Sequence, residues 1–99
     1  MKQIERIKKM EERLNRASQV VGKLSAALDE YIETLEDIRA LESYYGSKEW
    51  KKDLDDDEAQ RLPKDLERGV LSEDAIWNML EDHRDLKVRM EQTLRINKE

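Results

Sequence analysis

The chain has 99 residues, 43% of them charged, a net charge of −5, one His, and neither Cys nor Phe. Without cysteine there is no disulfide scaffold, thiolate-ligated zinc site or thiol nucleophile. No apolar run approaches the ~18 residues of a membrane span, no apolar stretch after the first lysines marks a secretory signal, and an acidic chain is a poor default nucleic-acid binder.

Those exclusions leave a helical protein. Ala, Glu, Lys, Leu and Arg make up 51 of the 99 residues, the bias of long helices and coiled coils. Leu, Ile and Val number 22, just above the ~20% below which chains tend to stay disordered. The two signs of charge nearly cancel, which favours an ordered protein with a very polar surface.

Residues 2–45 contain no Pro and a single Gly. Ile7, Leu14, Val21, Leu28 and Leu35 hold one heptad position; Met10, Ala17, Leu24, Tyr31, Ile38 and Tyr45 hold another three residues later. This spacing predicts a helix packed along its length. Val20, Ala27 and Leu41 widen the stripe on one side and Ile32 on the other, as in a bundle helix. Gly22, at an outward position, costs about 1 kcal/mol against Ala without breaking the helix. Gly46 stands where a left-handed C-cap belongs, and Ser47 can cap the next element.

The stretch 48–70 is less regular. Trp50 and Leu54 predict a short helix that dissolves in Asp55-Asp56-Asp57. Pro63 predicts the first turn of another short helix containing Leu66, with Gly69 as its stop. Ser72 then opens the last helix: it is a favoured N-cap, Glu73 and Asp74 oppose the positive helix end, and Leu71 with Ile76 can form a staple. Ile76, Met79, Leu80, His83, Leu86, Met90 and Leu94 come next on one face.

The expected fold is all-α and a single domain over 1–99. A long first helix (about 2–45) packs antiparallel with a last helix (about 73–95), joined by a short-helix clasp (about 48–70), as a helical hairpin or three-helix-bundle-like unit. At ~1.5 Å per residue the first helix spans roughly 65 Å and the last roughly 36 Å. A last helix folding back from near residue 45 covers only about half of the first. Something else must then cover Ile4, Ile7, Met10 and Leu14. Symmetric homodimers are the commonest solution, so the expected cover is a second copy, with a kink that folds the first helix onto itself, or a different partner, as the alternatives.

Charge is uneven. Residues 1–23 net +4, residues 24–58 net −8, and residues 84–98 net +3. An antiparallel hairpin would set that last basic stretch beside the basic start of the chain. Such asymmetry serves solubility, or docks an anionic partner.

Chemistry is sparse. Asp53, Asp55 and Asp57 fall on the first three ligand positions of a calcium loop, but Glu58 replaces its Gly and Lys64 its bidentate Glu. His83 is the only His, which removes paired-His zinc motifs; on the apolar face of the last helix it reads as a structural imidazole hydrogen-bonded to a neighbour. Carboxylate pairs such as Glu81 and Asp85 are expected by chance among two dozen acids, and isolated glycines form no phosphate loop. No catalytic residue, metal ligand or cofactor is assigned. Tyr44, Tyr45, Trp50 and Trp77 form the candidate aromatic cluster near the turn after the first helix. They read as a satellite core with Leu54, Leu62, Leu66, Val70 and Leu71, or as a peptide-binding patch if Tyr44, Trp50 or Trp77 is exposed.

The run Tyr44-Tyr45-Gly46-Ser47-x-Glu49-Trp50, then Asp53, Asp57-Glu58 and Leu62-Pro63-x-Asp65-Leu66-x-Arg68-Gly69-Val70-Leu71-Ser72-Glu73-Asp74-Ala75-Ile76, resembles a family of small bacterial proteins. That family is catalogued as domain of unknown function 4298 and occurs mainly in Gram-positive bacteria; the likeness covers nearly the whole chain. The resemblance implies a small, stand-alone cytoplasmic helical protein and carries over no activity, cofactor or catalytic residue. Pro63, Gly69 and Ser72 are each explained by helix starts and stops, so the motif needs no active site.

The function expected from these residues is a non-catalytic, cytoplasmic interaction module that self-associates through Ile4, Ile7, Met10 and Leu14. One alternative is an anionic partner, nucleic acid or acidic surface, held by Lys2, Arg6, Lys8, Lys9, Arg13 and Arg16. Most of these are expected to spread around the helix, with no interleaved aromatics to stack bases. The other alternative is a small-ligand site near Trp50, Trp77 and His83. Neither nucleic acid nor membrane is the expected partner.

Overall fold

A computed structural model describes residues 1–97, and it is helix from the second residue onward. Helix α1 runs Lys2–Tyr44, α2 runs Lys48–Glu58, a 3₁₀ turn spans Gly69–Leu71, and α3 runs Ala75–Asn97. No strand occurs among the described residues, so the fold is all-α, with a long N-terminal helix, a C-terminal helix and a clasp between them in sequence.

The unbroken α1 is a run of 43 residues without Pro; Gly22 is accommodated within it. The helix ends where the backbone of Gly46 turns left-handed, φ 79°. Nothing lies within 4 Å of where a Cβ would sit there, so glycine is required by conformation rather than by space. One residue later Ser47 is extended, and its Oγ accepts the Trp50 amide at 3.1 Å, starting α2. The expected stop and cap are both present.

The clasp departs from expectation in two places. Helix α2 does not dissolve at Asp55; it continues through the three aspartates to Glu58, because Lys52 and Arg61 neutralise Asp56 and Arg68 neutralises Asp57. Its end is a Schellman turn. Arg61 N–H reaches the Asp56 carbonyl at 2.9 Å and Gln60 N–H reaches that of Asp57 at 3.0 Å, with Gln60 left-handed at φ 60°. No second short helix begins at Pro63. The Leu66 amide makes a single turn back to the Pro63 carbonyl at 3.3 Å, and Gly69 opens a 3₁₀ turn instead of stopping a helix.

Ser72 behaves as a cap. Its Oγ accepts the Ala75 amide at 3.2 Å while its hydroxyl donates to the Gly69 carbonyl at 2.8 Å, so one side chain ends the 3₁₀ turn and begins α3.

The chain divides into two compact units, Met1–Glu36 and Asp37–Glu99. In the second, the end of α1 contributes buried Ile38 and half-buried Leu41, Tyr44 and Tyr45. Leu71 from the 3₁₀ turn and Ile76 and His83 from α3 are buried with them in this unit's core. Met79, Leu80 and Met90 of α3 are half-buried, but Leu86 is 42% and Leu94 64% exposed. The expected apolar face of α3 is therefore buried only in its first turns. Leu86 sits at the edge of that stripe, and Leu94 lies in a stretch, 91–96, where every side chain is exposed.

The first unit is α1 up to Glu36. Every residue from 1 to 30 is exposed, and Tyr31 and Leu35 are half-buried.

Candidate functional site

The polar groups of the clasp are used by the clasp. Arg68 spreads its guanidinium over four acceptors: Asp57 Oδ1 at 2.7 Å, the Pro63 and Lys64 carbonyls at 3.1 Å, and the Leu66 carbonyl at 3.3 Å. A planar fork of five donors suits that task, and it explains why 61–68 is not a helix. Three carbonyls in this stretch accept from that one side chain, Pro63's in addition to the Leu66 amide. Trp50 joins α2 to the 3₁₀ turn, its indole Nε1–H donating to the Val70 carbonyl at 3.0 Å. The Tyr45 ring meets the Trp50 ring with centroids 5.0 Å apart and planes at 58°, a tilted geometry that aromatic quadrupoles favour.

Tyr44 donates its hydroxyl to Asp53 Oδ2 at 2.6 Å. Loss of hydration first, then the bond to Asp53 and that carboxylate's charge, push the phenol up to about 12. Asp56 shifts the other way: its bond to Lys52 chiefly, with Arg61 adding, holds the carboxyl below its ordinary value against a smaller opposing desolvation. These features lock a helix turn. Asp53, Asp56 and Asp57 each have a partner there.

Asp53, Asp55 and Asp57 lie on a helix rather than a loop, and among the described residues no three His, Asp or Glu side chains gather as a metal site.

The four candidate aromatics divide. Tyr44, Tyr45 and Trp50 are half-buried in the clasp, whereas Trp77 is 52% exposed on α3. Of the expected satellite core, Leu71 is buried and Leu54 and Leu62 half-buried, but Leu66 and Val70 are 48% and 40% exposed. With 61–68 held open by Arg68, Leu66 has no helical face to turn inward. An open apolar hollow of about 350 Å³ lies between Leu41, Glu67, Gly69, Val70, Ala75, Ile76 and Met79. Trp50, Trp77 and His83 do not line it.

On α1, Ile4, Ile7, Met10 and Leu14 are 47%, 53%, 55% and 59% exposed. Exposure does not stop there. Val20, Val21, Leu24, Leu28 and Ile32 range from 46% to 67%, so the uncovered stripe runs nearly three times as far as the four expected anchors. The heptads carry its signal over the whole length; the expectation fell short because it placed a covering segment over the residues after Leu14.

The basic residues of α1 also differ from expectation. Lys2, Arg6, Lys9, Arg13 and Arg16 recur at steps of four and three, so the continuous α1 gathers them on one face instead of spreading them. Only Lys8 stands apart. The row flanks the apolar stripe about a quarter turn away.

An all-α chain with a hydrogen-bonded clasp and an uncovered heptad stripe is thus the class the geometry defines. Residues 7–93 match the family described as Domain of unknown function (DUF4298), and the chain belongs to it. No curated protein and no solved structure matches the chain. Among the described residues, no helix is long and apolar enough to cross a membrane.

Proposed function

We propose that the protein is a non-catalytic helical self-association module of the bacterial cytoplasm, in which a second copy covers the stripe of α1. One observation carries this reading. Nine large apolar side chains between Ile4 and Ile32 stand about half exposed along one helix. At roughly 100 Å² apiece they offer roughly 900 Å², well above the few hundred Å² of a usual surface patch and close to the ~800 Å² per partner of a standard interface. The clasp, whose acids and arginine are mutually satisfied, then serves to hold the end of α1 and not to bind substrate.

Light scattering at micromolar concentration should give twice the 11.8 kDa chain mass. Changing Ile7→Glu and Leu14→Glu together should return the mass to one chain, leaving the Trp50 fluorescence of the clasp unchanged. A single-chain mass for the unaltered protein, or an unchanged dimer in the double variant, refutes the reading.

The basic row favours a second reading, an anionic partner such as nucleic acid docked along Lys2, Arg6, Lys9, Arg13 and Arg16. Duplex DNA should then bind with an affinity that falls steeply with salt. Absence of binding at 50 mM salt, or binding indifferent to Arg6→Gln and Arg13→Gln, refutes it.

A further inference from the structure

Resting on that self-association reading, we infer that the two copies pair antiparallel along α1, about a two-fold axis at the level of Gln19. Each residue then comes level with the one equally far from Gln19 on the other copy. Leu14 comes level with the partner's Leu24, Met10 with the partner's Leu28, and Ala17 with the partner's Val21. In an antiparallel pair the flanking positions also meet their own kind. Ile4 falls beside the partner's Ile32, and Val20 beside the partner's Val20, each within about two residues of level. All of these large side chains are about half exposed on α1.

Parallel pairing serves the flanks less well. It sets Val20 opposite the partner's Ser25 and leaves Ile4 without a facing residue, in return for Arg6 near the partner's Glu11. Charge decides further. Residues 2–18 carry six basic and three acidic side chains, a net +3; residues 20–36 carry one basic and four acidic, a net −3. Antiparallel pairing lays each half on its opposite, whereas parallel pairing lays like on like, which repels. Lys8 comes level with the partner's Glu30, and Lys9 with the partner's Asp29.

The absence of native Cys makes cross-linking clean. In the antiparallel pair, two residues 14 sit ten positions apart along the axis, roughly 15 Å, beyond the ~7 Å Cα separation a disulfide spans. Full-length Leu14→Cys and Leu24→Cys proteins should each fail to cross-link alone under mild oxidation, and should cross-link when mixed. Val20→Cys should cross-link with itself, for most of the protein. Light scattering of each reduced variant checks that it still dimerises, and circular dichroism that it remains helical. Self-linking of Leu14→Cys and Leu24→Cys without a mixed product overturns the antiparallel arrangement but leaves self-association standing. A dimer that links neither in the mixture nor through Val20→Cys overturns this register. A single-chain mass for the unaltered protein overturns self-association itself.

Discussion

Replacing Arg68 with Ala should open the clasp, and the structure sets the size of the effect. The side chain loses an ion pair to Asp57 at 2.7 Å and bonds to three carbonyls at 3.1–3.3 Å. A hydrogen bond involving a charged group contributes a net of about 1.5–3 kcal/mol, but Arg68 and Asp57 are 31% and 23% exposed, so the lower part of that range applies to each. The four bonds share one side chain and do not add. A loss of about 2–4 kcal/mol is expected, against total stabilities of only about 5–15 kcal/mol. Arg68→Lys keeps the charge but replaces the planar fork with a single point donor, and should lose about half as much. Urea unfolding followed by Trp50 fluorescence in a Trp77→Phe background measures this, because the Trp50 indole bonds to Val70 only two residues from Arg68. A cycle with Asp57→Ala isolates the ion pair. If Arg68→Ala changes stability by less than about 0.5 kcal/mol, the guanidinium does not organise the clasp.

Two other positions give outcomes of their own. Gln60 holds a left-handed backbone at φ 60°, which costs a residue with a Cβ roughly 1–2 kcal/mol, offset by glycine's larger unfolded entropy of about 0.5–1 kcal/mol; Gln60→Gly should therefore raise the urea midpoint slightly, and a fall would contradict the cap geometry. The Tyr44 phenol, raised to about 12 from an ordinary 10, favours the protonated form in the folded state. Its contribution to stability is complete below pH 10 and is lost as pH rises from 10 towards 12. Tyr44→Phe should be less stable than the unaltered protein at pH 7, with the gap closing through that alkaline window; a gap independent of pH contradicts the bond to Asp53.

Local signals made much of this fold legible. Heptads mark α1, Gly46 marks its stop, and Ser47 and Ser72 mark the caps, because each depends on neighbours a few residues away. The clasp departs from the local reading where a side-chain bond, and not the backbone repeat, decides the conformation. Nothing local to Pro63 reveals that Arg68 will take its carbonyl, and nothing local to Asp55 shows that its helix survives through pairing with Arg61 and Arg68. The basic row on α1 is equally local: its steps of four, three, four and three follow the helical repeat that brings these five residues to one side.

The residues that make the clasp and those that offer a binding surface are different sets, and physical chemistry explains the separation. Tyr44, Trp50, Asp53, Asp57, Arg68 and Ser72 each make a bond of specified geometry inside the clasp, so each position demands one residue type. A helix stripe demands only apolar character at a period, which many sequences satisfy. A motif built of residue identities will therefore mark the clasp whether or not anything binds there. The proposed interaction is sought on α1 because the clasp's distinctive polar groups are already engaged with one another.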